Sequence, residues 1–168
     1  MSTTPQAGTP QATTPQAATP QADRAAREYP DRPWVGVGAV VWRGDRVLLI
    51  RRGRPPRMGQ WSLPGGAQSV GETVFETAVR EVLEETGLHV VPTEVVTVVD
   101  AMTLDDAGAV QYHYTIVEVA ADCPEGEAVC ADDALEAVWA TVEEAAELTE
   151  WDETERVIRL SASRRAAG

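Results

Sequence analysis

Residues 66–88 read Gly66-Ala-Gln-Ser-Val-Gly-Glu72-Thr-Val-Phe-Glu-Thr-Ala-Val-Arg80-Glu81-Val-Leu-Glu84-Glu85-Thr-Gly87-Leu88, a glycine turn followed by a helix with its carboxylates on one stripe. Thr73-Val-Phe-Glu76 is a capping box, in which each end residue's side chain accepts the other's backbone N–H. The helix therefore starts at about Val74 and stops at Gly87. With Glu81 at the origin and about 100° per residue, Glu84 falls near 300° and Glu85 near 40°. Phe75, Val79, Val82 and Leu83 lie on another side, which is the expected core face. Like charges three and four residues apart cost a helix roughly 0.2–0.5 kcal/mol per pair, so the stripe is a liability without a cation. Hard oxygen ligands gathered at one point suit Mg²⁺ or Mn²⁺, which also accept water and substrate phosphate. The stripe reads as a metal site.

Around this helix the chain reads as alternating strands and helices. Trp34 to Arg43 and Arg46 to Arg52 are rich in Val, Leu and Ile, and Gly44-Asp45 between them predicts a hairpin. Val95 to Val99 and Val110 to Ala121 read as strands separated by the Asp105-Asp106-Ala107-Gly108 turn. A short strand near Ala137 to Ala140 leads into a second capping box, Thr141-Val-Glu-Glu144, and a short helix. A last helix covers roughly Asp152 to Ser163, with Val157, Ile158 and Leu160 inward. Strands interrupted by one helix and finished by two more predict an α/β sandwich on a mixed sheet.

The chain has 168 residues and a net charge of -13, which suits one domain and opposes binding to nucleic acid, whose phosphates demand a basic surface. The same charge would repel a phosphate-bearing substrate unless divalent cations intervene. Arg51, Arg52, Arg54 and Arg57 crowd together before the motif. They read either as a solvated loop or as a cationic lip for substrate phosphate. The opening segment is different. Thr-Pro-Gln-Ala recurs at Thr4, Thr9, Thr14 and Thr19 with no large apolar side chain after Met1. Such a repeat cannot offset its ordering entropy, so residues 1–30 are expected to be a disordered tail and linker, with the domain at 31–168. The tail lacks the apolar core of a secretory signal and no stretch is apolar enough to span a membrane, so a cytoplasmic location with no membrane partner is expected. Cys123 and Cys130 lie in a turn-rich segment without nearby histidines and read as reduced bystanders.

The 66–88 stretch resembles the Nudix hydrolases. That family's pattern is Gly, five residues, Glu, seven residues, Arg-Glu, an aliphatic residue, any residue, Glu-Glu, any residue, Gly, aliphatic. Gly66, Glu72, Arg80, Glu81, Val82, Glu84, Glu85, Gly87 and Leu88 fill every specified place, and Trp61-Ser62-Leu63-Pro64-Gly65 is similar to the usual approach to the motif. Ser69, where many members have another Glu, departs at a variable place. The resemblance implies an α/β/α sandwich with the motif as loop–helix–loop. It implies Glu81, Glu84 and Glu85 as metal ligands, a metal contact from the Gly66 carbonyl and a supporting role for Glu72. Arg80 becomes an orienting ion-pair partner within the motif. The general base differs between members, and Glu125, Glu127, Asp132, Asp133 and Glu136 are the downstream candidates.

The resemblance also implies a reaction: metal-dependent hydrolysis of a nucleoside diphosphate linked to another moiety. The proline that marks one group of ADP-ribose-cleaving members would fall near Leu104 and is missing. The stretch from Pro33 through Gly66 still looks like small bacterial members labelled ADP-ribose pyrophosphatase-like, so ADP-ribose or a related sugar nucleotide is favoured. A (deoxy)nucleoside triphosphate pyrophosphohydrolase is the alternative, and a non-catalytic Nudix-fold binding domain is a further one. A small-molecule nucleotide is the expected partner, and a homodimer is left open.

Overall fold

The computed structural model describes residues 27–55, 57–131 and 134–167; the repeat tail, Pro56, Asp132, Asp133 and Gly168 lie outside them. The hairpin forms as read: β1 (Trp34–Arg43) and β2 (Arg46–Arg52) pair antiparallel at Trp42↔Val47 and Arg43↔Arg46. Beyond those rungs the two strands take different partners. β3 (Trp61–Ser62) pairs with β2 at Ile50 and Arg51, and β4 (Gly65–Ala67) pairs with β1 at Gly36–Gly38. A cleft opens where β1 and β2 part, and the site lies there.

β6 (Val110–Asp122) runs parallel to β1 from Trp34↔Tyr114 to Trp42↔Asp122, and β5 (Val91–Leu104) pairs antiparallel with β6 at one edge. β7 (Ala134–Ala140) pairs antiparallel with β2. The sheet is mixed, with β3-β2-β1-β6-β5 as its main path. β5 is much longer than the Val95 to Val99 read from sequence, because Val91 and the residues from Asp100 to Leu104 alternate weakly and Pro92 disguises the start. Residues 27–30, assigned to the linker from sequence, are held on the β5–β6 turn. Tyr29 N donates to the Gln111 carbonyl at 2.8 Å, and the Tyr29 hydroxyl donates to Asp105 Oδ2 at 3.0 Å.

Period-two alternation along the central strands feeds a core on each face. Val37, Ala39, Val41, Leu48, Val119 and Ala121 pack with Ala78 and Val82 of α1 (Val74–Thr86). Val40, Trp42, Val47, Leu49 and Ala120 pack with Ala145 of α2 (Val142–Leu148) and with Val157 and Ile158 of α3 (Asp152–Ala167). Helices on both faces of a mixed sheet make the α/β/α sandwich. Both capping boxes are present, at Thr73–Glu76 and Thr141–Glu144.

Of the four residues expected on the core face of α1, Val82 is buried and Val79 packs beside it, while Phe75 and Leu83 are a correction to the sequence reading. The helix buries Thr77, Ala78, Val82, Glu85 and Thr86, whereas Phe75 and Leu83 are exposed. On the helical wheel the buried arc runs from about 320° to about 140°, so it takes in Glu81 and Glu85 together with Val82, and leaves Glu84 at its exposed edge. Glu81 and Glu85 face inward, toward β4. Leu83 points away from the sheet, and Phe75 sits in the first turn.

Candidate functional site

β4 carries Gly65-Gly66 against the middle of α1. The Gly65 N–H donates to Glu85 Oε2 at 2.9 Å, which satisfies a carboxylate that is 4% exposed. A side chain on Gly66 would overlap the Glu81 carboxylate, so only glycine lets the loop come this close. Burial raises the Glu81 pKa above the ordinary carboxylate value, with the Arg80 hydrogen bond opposing it. Glu84, half exposed, is the stripe's most solvent-facing member.

Arg80 binds the stripe together. Its Nε and Nη2 donate to the two oxygens of Glu72 at 2.6 and 2.9 Å, a bidentate pair. Nη1 donates to Glu81 Oε1 at 2.8 Å and Glu84 Oε2 at 3.1 Å, and Nη2 also reaches the Ala67 carbonyl at 3.2 Å. These bonds hold the guanidinium well above its usual pKa. They also carry Glu72 down to about 2, chiefly through Arg80 against a desolvation cost, with help from the Ser69 N–H and the Thr77 hydroxyl. Glu72 thus anchors Arg80, and Arg80 offsets the like-charge crowding of Glu81 and Glu84.

With the guanidinium between these carboxylates, no three His, Cys, Asp or Glu side chains among the described residues form a ready-made metal cage. The donor chemistry fits a divalent cation nonetheless. Glu81 lies against Gly66, Glu85 accepts from Gly65 N–H, and Glu84 shares the Arg80 guanidinium with Glu81, so the loop–helix contact offers hard oxygen donors of the type that divalent cations take.

A cleft of about 1090 Å³ runs from these carboxylates along Gly36–Gly38 of β1 to Ser62, Trp151 and Thr154. That volume lies at the upper end of ligand pockets, which typically span about 300–1,000 Å³. Arg52, Arg54 and Arg57 line it. Arg57, in the left-handed region at φ 62°, stacks its guanidinium 3.9 Å from the centre of the Trp151 ring. Arg51 does not reach the cleft. Neighbouring side chains on a strand leave opposite faces, and Arg51 instead donates to Glu136 Oε1 at 2.6 Å and to the Gly59 carbonyl at 2.9 Å. That ion pair also occupies Glu136, one of the downstream acidic candidates. Glu125 and Glu127 are exposed, and Asp132 and Asp133 lie outside the described residues.

The NUDIX domain family matches residues 32–160 of this chain. The chain belongs to the NUDIX family. It is 36% identical over 105 residues to an ADP-ribose pyrophosphatase of Methanocaldococcus jannaschii, covering 62% of this chain and 60% of that protein. It is 49% identical over 57 residues to a putative 8-oxo-dGTP diphosphatase 2 of Mycobacterium tuberculosis, covering 33% of this chain and 40% of that protein. These matches span less than two thirds of each relative's length. Among solved structures, it resembles a MutT NUDIX hydrolase from Burkholderia pseudomallei with a TM-score of 0.65 and 29% identity, covering 77% of this chain and 98% of that one.

The NUDIX motif accounts for one end of the cleft. The other end holds a residue that the sequence reading passed over. Glu118 of β6 is 5% exposed, its Oε2 has no hydrogen-bond partner among the described residues, and burial pushes its pKa up to about 7 with Arg156 opposing. A side chain on the adjacent Gly38 would overlap this carboxyl. A signal was present in the sequence: Ile116-Val-Glu118-Val-Ala-Ala121 puts one ionisable residue inside an otherwise apolar half of β6.

Proposed function

We propose that this chain hydrolyses the phosphoric anhydride of a nucleoside diphosphate linked to another moiety, with ADP-ribose or a related sugar nucleotide favoured. The observation that carries the reading is the Gly66–Glu81 contact. A glycine loop lies directly on the buried edge of a carboxylate stripe, and Arg80 holds that stripe in register. The similarity to a protein named ADP-ribose pyrophosphatase supports the substrate class. Similarity to a protein named as a putative 8-oxo-dGTP diphosphatase favours a second reading, a (deoxy)nucleoside triphosphate. The complete set of motif carboxylates argues against a purely ligand-binding domain.

In this reading Glu81, Glu84, Glu85 and the Gly66 carbonyl hold Mg²⁺ or Mn²⁺. Such a cation supplies positive charge against the phosphate oxygens and acidifies water. The Gly65 N–H fixes Glu85, and Glu72 fixes Arg80, which orients Glu81 and Glu84. Arg52, Arg54 and Arg57 face the substrate's phosphates from across the cleft. The catalytic unit is residues 31–168 together with residues 27–30, which pack on the β5–β6 turn, and the repeat ahead of Asp23 is a dispensable extension. Exposed Val98, Met102 and Leu104 on the edge strand β5 support a homodimer paired there, which light scattering of the purified protein tests. No helix among the described residues is long and apolar enough to cross a membrane.

The functional test is a substrate screen of the purified protein with Mg²⁺ and Mn²⁺, products being identified by mass. AMP and ribose 5-phosphate from ADP-ribose are the expected products. Nucleoside monophosphate and pyrophosphate from a triphosphate alone would move the assignment to the second reading. No hydrolysis of any nucleotide would overturn it.

A further inference from the structure

We propose that Glu118 and Ser62 form the recognition point for the substrate's nucleobase, reading N–H donors on the edge of its ring. The inference rests on the nucleotide reading above and goes beyond it by assigning the far end of the cleft. Two side-chain oxygens that line that cleft are buried without a partner among the described residues: Glu118 Oε2 and Ser62 Oγ. A buried acceptor without a donor is held at a cost to the fold, and native chains keep few of them without a reason. Here the fold makes room on purpose: Gly38 removes the one side chain that would otherwise fill the space of the carboxyl.

The position excludes a role beside the motif carboxylates. Val119 and Ala121 of β6 belong to the core under α1, so Glu118, in alternation with them, projects from the opposite face, toward α3. Ala120, two residues on, packs in the core shared with Val157 and Ile158 of α3. Glu118 therefore leaves the sheet on the face opposite to α1 with its Glu81, Glu84 and Glu85, although all four line one cleft. A group on that side can read a substrate but cannot prepare water beside the motif.

The walls describe the shape of the ligand. Ile50, Leu63, Ile116, Trp61 and Trp151 line the same cleft as Glu118 and Ser62, apolar and aromatic surface among its polar groups, with one face of the Trp151 ring covered by Arg57. That combination fits a flat heterocycle stacked against aromatic side chains and hydrogen-bonded along one edge. Carboxyl oxygens accept from ring or exocyclic N–H groups, and the serine hydroxyl can donate or accept beside them. Sugar and phosphates then extend back along β1 toward the motif.

The test separates base recognition from hydrolysis. Binding of AMP, GMP and ribose 5-phosphate is measured calorimetrically in EDTA, for wild type, Glu118→Met, Glu118→Gln and Ser62→Ala. Wild type is expected to bind at least one of AMP and GMP more tightly than ribose 5-phosphate. Glu118→Met is expected to lose about ten- to hundredfold of that preference while ribose 5-phosphate affinity stays the same, the worth of a hydrogen bond to a charged group. Glu118→Gln keeps a carbonyl acceptor and is expected to recover part of the loss, and Ser62→Ala to show a smaller one. A melting temperature for Glu118→Met at or above wild type shows that the loss is not unfolding. A wild type that binds ribose 5-phosphate as well as both nucleotides, or a Glu118→Met chain with the wild-type preference, overturns the proposal. Because no metal or turnover is involved, a protein that fails to hydrolyse nucleotides can still pass this test, and one that hydrolyses them can still fail it.

Discussion

Replacing Glu118 by Gln converts a titrating buried group into a neutral one of the same shape, and the consequence depends on pH. The folded carboxyl has its pKa raised to about 7 from an ordinary 4.5, so between those values the folded chain binds the extra proton. Stability in that window must fall as pH rises, because the unfolded carboxyl ionises first. The penalty is small below about pH 4.5 and complete above about 7. At about 1.4 kcal/mol per tenfold change in an ionisation constant, Glu118 withholds about 3 kcal/mol from the fold at pH 8 and under about 1 kcal/mol at pH 5. Glu118→Gln removes the titration and keeps the shape, so whatever the amide itself costs cancels between the two pH values. Urea unfolding of both proteins at pH 5 and pH 8 is the assay. The variant should gain about 2–3 kcal/mol relative to wild type on going from pH 5 to pH 8. An unchanged difference would mean that Glu118 is solvated or paired in solution, and the assignment of an orphaned buried carboxyl would fail.

Three further outcomes follow from the motif and its surroundings. Arg80→Ala leaves Glu81 half-buried without its counter-ion and frees Glu72, so kcat should drop at least about tenfold and stability by roughly 1–3 kcal/mol; an effect on KM alone would refute its orienting role. Arg57→Ala and Arg54→Ala should raise KM about ten- to hundredfold if either contacts phosphate, whereas Arg51→Ala, tied to Glu136, should leave KM as it is; steady-state kinetics on one substrate decides between them. A chain beginning at Asp23 should keep the melting temperature and kinetic constants of the full chain, and a large loss of activity would show that the repeat contributes to the site.

Much of this architecture was legible in the residues. The Gly44-Asp45 turn and the two capping boxes place β1, β2, α1 and α2 because each is a local signal whose partner lies within a few residues. The orientation of α1 was not legible. Phe75 and Leu83 are apolar and the glutamates are not, yet Glu81 and Glu85 face inward because Gly65 and Gly66 arrive from β4 with a backbone donor and no side chains. That contact depends on tertiary pairing of β4 with β1, which periodicity does not record. Four clustered arginines likewise read as one lip, until strand alternation sends Arg51 to the other face. Glu118 stood out in its strand, but only the fold sets it beside Gly38 and away from the motif.

The central claim is that the α1 carboxylates are catalytic metal ligands, and Glu85 isolates it best. Its amide counterpart can still accept the Gly65 N–H, so Glu85→Gln should leave the fold and its melting temperature without metal unchanged or slightly higher. The deciding measurement is kcat for wild type and Glu85→Gln at saturating Mg²⁺ on the best substrate of the screen. A loss of about a hundredfold or more with the fold intact is expected. A Glu85→Gln enzyme with near wild-type kcat would contradict the account.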